Sequence, residues 1–282
     1  MDKRQFIKNC ALTAALLPLA GCSSVIAAPA GANNKRLLPL ALNKGDTVAL
    51  VSPSKATDEA LDLQIAQEVM QALGFKVKTG KHLAARRGHL AGTDAERASD
   101  INAMFADKEV KAIICLRGGS GAARLLPLLD YQLIRNNPKV LLGYSDITAL
   151  HNAIHAQTGL ISFHGPNGTG SWNSFNADQF QRLFFDRELM QYQNVLDAKD
   201  ELVPRQNRTI TINGGKVQGE LIGGNLTVLT ALAGSPYLPD FSGKILFLED
   251  VEEAPYRIDR MLSTLKLMGA LDKIAGFIFG EC

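Results

Sequence analysis

The 282-residue chain is short of most features that announce a function class. Its 30 basic and 28 acidic residues leave a formal net charge of +2, too little to imply a polyanionic partner. Aromatics make up only 6% of the residues, and no basic stripe interleaves with them, so no nucleic-acid surface is expected. The four cysteines, Cys10, Cys22, Cys115 and Cys282, fall at neither metal-ligand nor redox spacing. Cys115 lies in the apolar run AIICL and reads as a buried thiol. His151 and His155 stand i,i+4 with no third ligand in view, so no metal is expected there. What is present is ordinary: 46% hydrophobic and 21% charged residues, enough for one large or two medium domains.

The first thirty residues carry an export pattern. MDKRQFIKNC is a basic segment, and ALTAALLPLA is an apolar segment too short to cross a bilayer. Leu19-Ala20-Gly21-Cys22 resembles the lipobox of bacterial lipoproteins, with Cys22 as the acylated residue. Asp2 to Lys8 resembles a relaxed twin-arginine signal; a plain secretory signal cut near Ala28 is the simpler alternative. Residues 1–43 are thus taken as leader and tether, and the mature chain as an exported, periplasmic, membrane-anchored lipoprotein.

From Lys44 the chain alternates between two periodicities. GDTVALVSPS, FKVKTG, KAIICLRGG and KVLLGYS read as strands, the last two being continuous apolar runs. DEALDLQIAQEVMQALG, TDAERASDINAMFAD, GAARLLPLLD and DITALHNAIHAQTG read as helices between them. Thr93 with Glu96 forms a capping-box pattern, and Gly74 and Gly159 are stop signals. Such alternation predicts an α/β fold with a parallel sheet covered on both faces, spanning residues 44–165. Residues 166–208 are glycine-rich and poorly periodic and are assigned as a linker. Beyond them, 209–282 predicts a smaller mixed β/α domain: TITINGGKVQGELIGG as short strands with a hairpin turn, GKILFLED as a buried strand, and YRIDRMLSTLKLMGAL as an amphipathic helix.

Ligands in parallel sheets bind at the carboxyl ends of strands. Two of those ends are chemically distinctive, Arg117-Gly118-Gly119-Ser120-Gly121 and Gly143-Tyr144-Ser145-Asp146. A serine between a buried strand and a helix can be lifted above the sheet on a sharp turn, with the next amide facing a developing oxyanion. It can equally be a helix cap, as Ser and Asp often are. The residues alone leave both open, because Ile147 stands where a G-x-S-x-G motif has its second glycine.

Several segments in order, RGGSGAARLLPLLD, LLGYSDITALHNA, SFHGP and GGNLTVLTALAGSPYLPDFSGKILFLEDVEEAPYRIDRML, resemble the LD-carboxypeptidase family of serine peptidases. The likeness runs from about Gly45 to the last residue. It implies a flavodoxin-like nucleophile domain and a Ser-Glu-His triad divided between two domains. The nucleophile falls on Ser145, the glutamate on Glu249, and the oxyanion amides on Gly119 and Asp146. Ser120 departs from the aromatic residue often found after the glycine pair. In the family the triad histidine lies well downstream of the glutamate, and no histidine follows Glu249 here, so that position is expected beyond Cys282. Of the histidines present, His82 and His89 are assigned to a polar loop, and His151 and His155 to one packed and one exposed helix position. His164 is assigned to the floor of the site. The implied activity is removal of the terminal D-alanine from a murein tetrapeptide, by a homodimer acting on muropeptides. Two alternatives are a catalytically inactive, truncated muropeptide-binding lipoprotein and a microcin-type peptidase acting on peptide–nucleotide conjugates.

Overall fold

Strand β1 (Thr47–Val51) is a run of small and β-branched apolar residues, and its burial shows why it forms. Val48 and Leu50 point into one core, Ala49 and Val51 into another. Ile113 and Cys115 of β3 (Val110–Cys115), and Leu141 of β4 (Val140–Gly143), join the second of these; Ala112, Ile114 and Leu142 join the first. Period-two alternation therefore sorts apolar side chains to both faces, which is why these strands read as unbroken hydrophobic runs. Each fully buried Val, Leu or Ile among them contributes roughly 1.5–3 kcal/mol.

The computed structural model describes residues 36–194, 203 and 208–280, all within one compact unit covering 33–282. Cys22 and the rest of the leader lie outside the described residues. β2 (Lys76–Thr79) and β5 (Phe163–His164) complete a five-stranded sheet of order β2-β1-β3-β4-β5, with every pairing parallel. This is the flavodoxin-like order, as expected, with its switch point between β1 and β3. Helices α1 (Ala60–Ala72), α2 (Asp94–Ala106), α3 (Tyr131–Asn136) and α4 (Thr148–Thr158) connect the strands. α2 starts on a complete Thr93–Glu96 capping box, and Gly159 closes α4 in the left-handed conformation at φ 77°.

Three local expectations differ from the structure. Residues Ala122–Leu128, expected as a helix, form a 3-10 segment, consistent with Pro127 having no N–H to donate. The 166–208 linker contains helix α5 (Ser174–Phe184), whose Phe180 and Phe184 pack into the first sheet's core, Phe180 meeting Phe75 edge-on at 5.9 Å. No hairpin forms from Thr209; Ile210 and Ile212 are 83% and 87% exposed, so their alternation has no surface to bury against.

The second sheet comprises β6 (Leu221–Asn225), β7 (Ile245–Glu249) and β8 (Gly276–Phe279), all parallel, in the order β6-β7-β8. Helices α6 (Leu226–Ala231) and α7 (Pro255–Leu267) cover it through a core of Ile222, Leu226, Leu229, Leu246, Leu248 and Leu265. β6 docks this sheet onto α4. The Asn225 amide donates to Thr148 Oγ1 at 2.9 Å, and Asn152 Nδ2 donates to the Gly223 carbonyl at 2.8 Å. Gly224, at φ 119°, lies so close that a Cβ there would sit 2.5 Å from Thr148 Oγ1. Among the described residues no helix is long and apolar enough to cross a membrane.

Candidate active site

Ser145 lies in the short stretch between β4 and α4, two residues after Gly143, and its φ is 64°. A non-glycine residue in this left-handed region costs on the order of 1–2 kcal/mol, so the surrounding structure must hold it there. The holding contacts are visible on both sides. Before it, the Tyr144 amide donates to Asn167 Oδ1 at 3.2 Å. After it, the Asp146 carboxylate is buried, and its Oδ2 accepts from Ser54 Oγ at 2.6 Å and from the Ala122 amide at 2.8 Å. Asp146 therefore ties the carboxyl ends of β1, β3 and β4 together. Its side chain is structural, while its amide opens the turn into α4, where the helix dipole adds positive potential.

The turn after β3 passes directly beside the serine. A Cβ on Gly118 would sit 2.9 Å from Ser145 Cβ and 3.0 Å from its Oγ, so only glycine lets the two backbones approach this closely. Gly119 follows at φ 117°, again a glycine conformation, with a Cβ there meeting Lys55 Cβ at 2.6 Å. Gly119 and Asp146, whose amides the family resemblance assigns to the oxyanion, thus belong to two turns that meet where Gly118 approaches Ser145.

Glu249 ends β7, paired in register with Asn225 at the end of β6. Burial raises its pKa above the usual carboxylate range; the Asp250 charge adds to this, and an Asn225 contact partly offsets it. Glu249 Oε1 is buried and has no hydrogen-bond partner among the described residues. An oxygen in that position is costly unless it meets a donor, so it is placed to accept one. The neighbouring Asp250 is fully engaged: it accepts from Asn225 Nδ2 at 3.1 Å, the Thr227 amide at 2.9 Å and Thr227 Oγ1 at 2.8 Å. These bonds fix the strand end that carries Glu249.

His164 stands between the two halves. Its Nε2 is 3.8 Å from Glu249 Oε1, and its ring lies 6.2 Å from that of Tyr144, the residue preceding Ser145. Burial lowers its pKa to about 4, so the ring is neutral near pH 7. His151 lies beneath the turn, also neutral, its pKa lowered to about 4 by burial. Its Nε2–H donates to the Gly143 carbonyl at 2.9 Å, leaving Nδ1 to accept from Ser162 Oγ at 2.8 Å. His155 is not exposed as expected; its side chain is 16% accessible and meets Lys244 Nζ at 3.1 Å. His82, just after β2, pairs with Asp100 of α2 at 2.9 Å. No cluster of His, Cys, Asp or Glu among the described residues has metal-binding geometry.

Asn167 and Ser54 escaped the sequence analysis. The signal for Asn167 was its place in the glycine-rich segment after β5, which by topology must return across the strand ends. Ser54 carried no signal beyond lying at the end of β1.

Residues 48–165 match the LD-carboxypeptidase N-terminal domain, and residues 218–282 its C-terminal domain. A probable murein peptide carboxypeptidase of Bacillus subtilis is 44% identical over 245 residues, covering 85% of this chain and 73% of that protein. The crystal structure of a muramoyltetrapeptide carboxypeptidase from Oxalobacter formigenes superposes with a TM-score of 0.70 at 32% identity, covering 84% of this chain and 77% of that one. An MccF-like protein from Bacillus anthracis superposes at 0.75 and 30% identity, covering 86% and 80%. With both domains matched in order over a parallel-sheet scaffold, this chain belongs to the LD-carboxypeptidase family of serine peptidases.

Proposed function

We propose that the protein is a serine LD-carboxypeptidase that releases the terminal D-alanine of murein tetrapeptides. The observation that carries this is Ser145, held at positive φ against Gly118, in the turn that opens the helix onto which the sheet ending in Glu249 docks. Ser145 Oγ attacks the carbonyl carbon of the L,D-peptide bond and passes its proton to a histidine. The amides of Gly119 and Asp146 hold the oxyanion. Collapse of the tetrahedral intermediate breaks the C–N bond, and the imidazolium protonates the departing D-alanine amine. Water then attacks the acyl-serine, returning the proton by the same route. Family resemblance places this histidine downstream of the glutamate, and the unpartnered Glu249 Oε1 is the group that would accept its ring N–H. The chemistry calls for no metal or organic cofactor.

The test is to incubate the full-length, leader-free protein with murein tetrapeptide and follow free D-alanine. Ser145→Ala is expected to abolish release, and full turnover by that variant refutes the nucleophile assignment. A second reading, cleavage of peptide–nucleotide conjugates, draws on the likeness to an MccF-like protein; offering both compound classes to one preparation decides between them. Leu19-Ala20-Gly21-Cys22 supports export and lipid anchoring at Cys22. Cys22→Ser is then expected to move the protein from the membrane fraction to the soluble one. Family resemblance also implies a homodimer, which sedimentation of the leader-free protein measures.

A further inference from the structure

Cationic side chains gather at the switch point of the first sheet, beside the nucleophile. Lys55 follows β1, Arg86 follows β2 and Arg117 follows β3. All three converge on one carboxylate, Asp58: Lys55 Nζ at 3.2 Å, an Arg86 terminal nitrogen at 2.9 Å and an Arg117 terminal nitrogen at 3.6 Å. Three positive charges share one negative charge, leaving a local surplus of two. All four side chains remain open to solvent, between 28% and 53% exposed. Exposed ion pairs contribute only about 0–1 kcal/mol each, so this convergence from three loops does little for the fold.

Its position is tied to the reacting serine. Arg117 immediately precedes the Gly118-Gly119 turn, and the Lys55 amide donates to the Gly118 carbonyl at 3.4 Å. That one turn meets Ser145 on one side and Lys55 on the other. The switch point of a doubly wound sheet is also where such folds bind ligands.

We infer that Lys55, Arg86 and Arg117 form a subsite for a free carboxylate of the substrate, next to the bond that is cut. This rests on the murein-peptide function proposed above. Arginine offers a planar fork that suits a carboxylate, and Asp58 orients the cations while competing with the ligand. Removing Asp58 therefore has the opposite effect to removing a cation.

The experiment measures equilibrium binding by titration calorimetry, using the full chain carrying Ser145→Ala so that nothing is turned over. Three probes are used: murein tetrapeptide, the same peptide ending in D-alaninamide, and the tetrapeptide with lysine in place of diaminopimelate. The parent is expected to bind tetrapeptide about tenfold or more tightly than one of the two analogues. Which analogue is weakened identifies the carboxylate, terminal or side-chain. Arg117→Gln and Lys55→Met are each expected to shrink that preference with no change in melting temperature, and Asp58→Asn to enlarge it. If the parent binds all three probes equally, or if both cation variants keep the preference, the subsite is refuted while the murein reading stands. If no probe binds, both fall.

Discussion

Ser145→Gly is expected to make the protein more stable while removing the proposed nucleophile. Ser145 sits at φ 64°, a region that costs an L-residue about 1–2 kcal/mol and glycine almost nothing. Glycine gives back about 0.4–1 kcal/mol through its greater freedom in the unfolded chain. The net gain is about 0.5–1 kcal/mol. In a protein of this size each kcal/mol moves the melting temperature by about 2–4 °C, so a rise of roughly 1–4 °C is expected. Ser145→Ala is the control. It keeps the Cβ and therefore the strain, and is expected to melt within about a degree of the parent, since a substitution without a named mechanism costs little. Scanning calorimetry on the three proteins at one pH and concentration measures the effect. Equal melting temperatures for the glycine and alanine variants would show that the turn stores no strain, and the argument for a forced, lifted hydroxyl would go with it.

Two further outcomes follow from the geometry. His151 and His164 both have folded pKa values near 4 against 6.5 when free, so the unfolded state binds protons first as pH falls. Their contribution to stability is complete above pH 6.5 and is lost as pH drops through about 4; urea midpoints at pH 7 and 4.5 measure it, and His164→Gln should flatten the slope between them. Gly224→Ala would push a Cβ into Thr148 and is expected to cost about 2 kcal/mol or more, whereas Gly215→Ala meets nothing within 4 Å and should stay within about 0.5 kcal/mol. Similar unfolding midpoints for the two would mean the second sheet does not depend on close approach to α4.

The strands of the first sheet were legible because burial on both faces leaves an unmistakable apolar run, as in Ala112 to Cys115 and Val140 to Leu142. Capping at Thr93 and the stop at Gly159 were legible because both act through neighbouring residues alone. Helix α5 was missed although Asn173 caps it and Phe180 and Phe184 stand one turn apart; its polar exposed face diluted the period. The false hairpin at Thr209 shows the converse, since alternation has meaning only where something covers one face. At the candidate site, Ser145 and Glu249 were named through family likeness. The bonds that position Ser145, Ser54 to Asp146 and Asn167 to Tyr144, join residues 92 and 23 apart in sequence, and only folding brings them together.

Because the serine belongs to one sheet and the glutamate to the other, their separation is set by the seam between them: Thr148 bonded to Asn225, Asn152 bonded to Gly223, and Val228 and Leu232 packed into the first sheet's core. The spacing between these two strand ends therefore follows from this seam, which lies away from the exposed segment around Ile210 and Ile212. Changes of length in the exposed loops of either half can then alter its outline without altering the distance between the two strand ends.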